Sequence, residues 1–74
     1  MSSYENLIKW FIENGIKLDD VCNLLFLSRR QLLDKLYLND DDFTLLEIAT
    51  ICKNYNIRKS VLKQLFTPVE YFEN

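Results

Sequence analysis

The chain has no histidine, one glycine (Gly15), one proline (Pro68) and two cysteines (Cys22 and Cys52) among its 74 residues. Without histidine, the commonest general base and metal ligand is missing. No glycine-rich segment offers a phosphate-cradling loop, and neither cysteine has an evident base partner. The sequence therefore reads as a non-enzyme that needs no cofactor and no metal. Asp40, Asp41 and Asp42 lack the alternating spacing, the glycine and the distal glutamate of a calcium loop, so the run reads as a solvated turn. Sparse glycine and proline argue against a sandwich of short strands and for helices joined by short turns. No apolar run approaches the length of a membrane span. Residues 1–6 lack the basic segment that opens a signal peptide. Both cysteines sit inside apolar helical patterns, which suits small core residues of a reduced chain. The expectation is a cytoplasmic protein with no membrane partner.

What is present is apolar surface: hydrophobic residues make up 49% of the chain and aromatics 14%. That is too apolar for disorder and enough for one packed domain over residues 1–74. The formal net charge is −2, whereas nucleic-acid-binding domains are usually basic. The charge is unevenly placed. Lys53, Arg58, Lys59 and Lys63 lie in a stretch without acidic residues, while the three aspartates run together.

The apolar spacing predicts an all-α, compact five-helix domain. Three pairs have capping-box spacing: Ser2 with Glu5, Ser28 with Gln31, and Thr44 with Glu47. The predicted helices run over about 3–14, 18–25, 29–36, 45–55 and 59–66. Their inward residues are Tyr4, Leu7, Ile8 and Phe11; Val21, Cys22 and Leu25; Leu32 and Leu36; Ile48, Ile51 and Cys52; Val61, Leu62 and Leu65. Asn14-Gly15 stops the first helix, Asn56 stands at the end of the fourth, and Pro68 blocks the fifth, leaving a tail over 67–74.

The second and third helices are separated only by Phe26, Leu27 and Ser28. A hydrophobic residue inside a short turn, followed by a serine that caps the next helix, is helix-turn-helix spacing over 18–36. Such a motif offers the first residues of its second helix to base edges in the major groove. Here these are Arg29, Arg30 and Gln31. Arginine reads guanine with two donors, and glutamine can pair with adenine. Lys17, Ser28 and Lys35 are the expected phosphate contacts. A single subunit carries few cations, so a homodimer on double-stranded DNA is expected.

At this point the chain resembles a family: the small phage repressors and Cro-like regulators of the lambda-repressor helix-turn-helix class. More narrowly, it is similar to short regulators from prophages of Gram-positive bacteria. The likeness runs from Tyr4-Glu5-Asn6-Leu7-Ile8 through Asn14-Gly15, Val21-Cys22, Leu24-Leu25 and Leu27-Ser28-Arg29. It continues through Lys35-Leu36, Asp42-Phe43-Thr44-Leu45 and Glu47-Ile48 to Tyr71-Phe72. The resemblance implies a five-helix fold, often dimeric, in the cytoplasm of a bacterial host, with residues 29–33 facing the groove. The chain departs from the family pattern in the DNA-facing region. Phe26 stands where the family has glycine, and Leu18 where it has a phosphate-steadying glutamine. Leu33 and Asp34 stand where small polar or basic residues are usual, and 37–42 carries carboxylates that repel phosphate.

These departures give a second expectation, a small phage-encoded inhibitor that binds a host or phage protein. Trp10, Phe26, Leu33, Tyr37 and Leu38 do not all fit the inward stripes. Exposed together they would form an interface patch.

Overall fold

The computed structural model describes residues 2–70, and within them the chain forms five helices and one pair of two-residue strands. In chain order these are β1 (Ser2–Ser3), α1 (Glu5–Glu13), α2 (Leu18–Leu25), α3 (Arg29–Leu36), α4 (Leu45–Asn54), α5 (Lys59–Leu65) and β2 (Val69–Glu70). The all-α, five-helix expectation is met, with α2 and α3 at the expected bounds. Among the described residues no helix is long and apolar enough to cross a membrane. The expected tail after Pro68 is partly structured, because β2 pairs antiparallel with β1 in the register Ser2 with Glu70 and Ser3 with Val69. This pairing displaces the first expected cap: Ser2 lies in a strand, and α1 begins after Tyr4 with no side-chain cap. Tyr71 and Phe72 of the resemblance lie outside the described residues.

The other two capping boxes form. Ser28 accepts from the Gln31 backbone N–H while the Gln31 side chain accepts from the Ser28 N–H. Thr44 and Glu47 do the same for α4. Each box satisfies two N–H groups that the helix itself cannot.

Four helices stop in one way. Gly15, Phe26, Leu38 and Asn56 adopt left-handed backbone conformations, with φ of 67°, 58°, 52° and 54°. The next residue donates back into the last turn in each case: Ile16 to Phe11, Leu27 to Cys22, Asn39 to Asp34 and Ile57 to Cys52, all at 2.8–2.9 Å. This six-to-one bond is the Schellman arrangement. Only one of the four uses glycine. Ile16, Leu27 and Ile57 are half-buried and pack on the core, so burial of the following side chain holds the turn where the backbone alone resists it.

The core joins Tyr4, Leu7 and Phe11 of the first segment to Val21 and Cys22, Leu32 and Leu36, Phe43, Ile51 and Leu65. Helix α1 packs on α5, and α2 packs on both α3 and α4. Tyr4, Phe43 and Phe66 form a mutual aromatic cluster with ring centroids 5.4–6.2 Å apart. Both cysteines are free, Cys22 buried and Cys52 half-buried.

Candidate nucleic-acid interface

Three residues connect α2 to α3, and their roles differ. Phe26 ends α2 with its backbone N–H on the Cys22 carbonyl, Leu27 turns inward, and Ser28 caps α3. The first turn of α3 therefore begins at a fixed place and angle beside α2. Arg29, Arg30 and Gln31 are all exposed there, while Leu32 one residue later is fully buried. The three expected base-contacting side chains thus form one contiguous polar edge.

Their chemistry is constrained by neighbours. A terminal nitrogen of Arg29 donates to Asp19 Oδ1 at 3.2 Å, joining the first turns of α3 and α2. Both groups are largely exposed, so the pair is weak as a source of stability. It biases where the guanidinium points. Arg30 has no ion-pair partner among the described residues. Gln31 Oε1 accepts from the Ser28 N–H at 2.8 Å, so one of its two lone pairs is occupied while the amide N–H groups remain. Ser28 Oγ accepts from the Gln31 N–H and keeps its own hydroxyl hydrogen. Lys17 precedes α2, is exposed and has no ion-pair partner among the described residues.

Lys35 is corrected by the structure. Expected at phosphate, it is buried, with only 6% of its surface exposed. Its Nζ lies 3.1 Å from Glu47 Oε1 and 3.4 Å from Asp41 Oδ2, and it donates to the Asp42 carbonyl at 2.9 Å. Burial alone pulls the ammonium pKa down, but the Glu47 and Asp41 carboxylates outweigh it and the net displacement is upward. An ammonium so held is a structural cation and is not free for DNA. Asp42 contributes a second time, accepting from the Tyr4 hydroxyl at 2.5 Å. Burial, and then that bond, push the Tyr4 hydroxyl well above the usual phenol value. The aspartate run is therefore more than a solvated turn, since two of its members brace the junction between α3 and α4.

The expected apolar patch is redistributed. Phe26 is 93% exposed and Tyr37 is also exposed, whereas Trp10, Leu33 and Leu38 are half-buried. Trp10 and Leu38 pack against the core, and Trp10 meets Tyr55 edge-on with centroids 6.1 Å apart. Phe26 instead lines a cleft of about 200 Å³ with Leu24, Leu25, Leu46, Glu47 and Thr50. Leu46 is 77% exposed, and its neighbour Leu45 is more so. Leu46 was missed in the sequence because 45–51 carries more apolar residues than one helical stripe holds. The surplus itself was the signal.

Comparison of the chain with protein-family models, with curated proteins and with solved structures gives no match.

Proposed function

We propose that the chain is a sequence-specific DNA-binding regulator of transcription. In this reading α2, the turn and α3 are a helix-turn-helix of the kind found in the phage repressors it resembles. The observation that carries the reading is the exposed edge of Arg29, Arg30 and Gln31, set directly after a capped three-residue turn and backed by buried Leu32. Placed in a major groove, this edge meets base edges, while Lys17 and the Ser28 hydroxyl meet phosphates on the flank. With Lys35 withdrawn into the interior and a net charge of −2, one subunit supplies little counterion release. Two subunits on a near-palindromic site double it. Fluorescence anisotropy with labelled duplexes at two salt concentrations tests the reading. Binding that weakens steeply with salt supports it, and absence of binding at low salt rejects it.

A second reading rests on one specific observation. Phe26 is a large aromatic ring, almost fully exposed, in a backbone conformation that disfavours it, and beside exposed Leu46. A protein-binding inhibitor would use such a ring as an anchor. Loss of a protein partner on replacing Phe26, with the fold intact, would favour this reading over DNA.

A further inference from the structure

Resting on the DNA-binding reading, we infer that the half-site is read as guanine at the Arg29 position, with Asp19 aiming the guanidinium. The argument is an inventory of donors and acceptors. A glutamine selects adenine by accepting from N6 while donating to N7. Gln31 Oε1 already accepts from the Ser28 N–H at 2.8 Å, and breaking that bond undoes half of the box that starts α3. That oxygen keeps a second lone pair, so Gln31 retains both a donor and an acceptor and by itself selects no base. Arg29 and Arg30 are donors by nature. Guanine, with N7 and O6, is the base whose major-groove edge offers two acceptors to the paired N–H groups of an arginine.

Asp19 belongs to this arrangement as a positioning residue. Its carboxylate engages one of the five N–H donors of Arg29. Two parallel donors are left for N7 and O6, and the guanidinium is held against swinging away to a phosphate. Arg30, with no such brace among the described residues, is free to reach either a base or a phosphate.

The test is selection of the full chain on a duplex pool with a randomised central stretch, at 50 mM salt, followed by sequencing of the bound fraction. Guanine enriched at one or two adjacent positions of each half-site is expected, with discrimination of roughly 5- to 150-fold at the Arg29 position. Arg29→Ala should erase that preference. Asp19→Asn should relax it at the same position while leaving the remaining positions and the helical circular dichroism unchanged, an outcome a merely structural role would not give. An adenine- or thymine-rich motif, or a guanine preference that survives Arg29→Ala, overturns the inference while leaving DNA binding standing. Absence of any binding to the pool overturns both.

Discussion

Lys35 and Glu47 meet through a single carboxylate oxygen that also closes the cap of α4. Glu47 Oε1 lies 3.1 Å from Lys35 Nζ and accepts from the Thr44 N–H at 3.0 Å. The last turn of α3 is thereby fastened to the first turn of α4, and α3 is held from the end opposite its exposed arginines. Removing the ammonium leaves the partly buried Glu47 carboxylate without its counter-charge. Lys35→Ala should cost about 3 kcal/mol in denaturant unfolding. The Lys35→Ala, Glu47→Ala double variant should lose less than the sum of the single losses, since the two groups share one interaction. Simple additivity would mean that the contact carries no coupling.

Phe26 has the opposite character. Its ring contributes little burial, and its left-handed backbone costs about 1–2 kcal/mol for a residue with a side chain. Glycine removes that strain but loses about 0.5–1 kcal/mol to chain entropy. Phe26→Gly should therefore melt at the same temperature as the parent or slightly above it. A marked fall in Tm would show that the ring supports the fold, and would remove the argument that it is kept for a partner.

Alkaline pH should unfold the protein earlier than its carboxylates would suggest. Tyr4, Tyr55, Cys22, Cys52 and Lys35 all hold their protons more tightly in the fold than in an unfolded chain. For Tyr4 and the cysteines the leading cause is burial; for Lys35 the facing carboxylates overcome burial. A folded-state pKa above the unfolded value gives stability that is complete below the unfolded pKa and lost as pH rises through the folded one. Stability should thus begin to fall above about pH 9 and fall further beyond pH 10. Tyr4→Phe should flatten the upper part of that decline. A denaturation midpoint independent of pH from 8 to 11 would contradict this.

The parts of the fold legible in the sequence were those written locally. Ser28 with Gln31 and Thr44 with Glu47 marked their helices because a cap needs only residues three apart. Gly15 and Asn56 marked stops because glycine, lacking a Cβ, and asparagine both tolerate a left-handed backbone. Phe26 and Leu38 end helices in the same conformation and were not legible as such. Around Phe26 the cause is burial of the following Leu27, which only the packed core supplies. Ser2 with Glu5 matched a cap pattern but was overruled by backbone pairing with residues 69–70, far along the chain. Lys35 is the clearest case at the candidate site. Its partners are six and twelve residues on, and no helical spacing brings a lysine to them. The exposed edge at 29–31 was legible because it depends on the cap and the helix period alone.

The central claim is most directly tested by titrating the protein into labelled duplex containing the selected site, in parallel with the Arg29→Ala, Arg30→Ala variant, at 50 and 200 mM salt. A dimer holding about four phosphates should bind roughly a hundredfold more weakly at the higher salt. The double variant should lose its preference for that site over random duplex while keeping its helical content. Equal binding by the parent and the double variant, or no binding by the parent at 50 mM salt, would contradict the account.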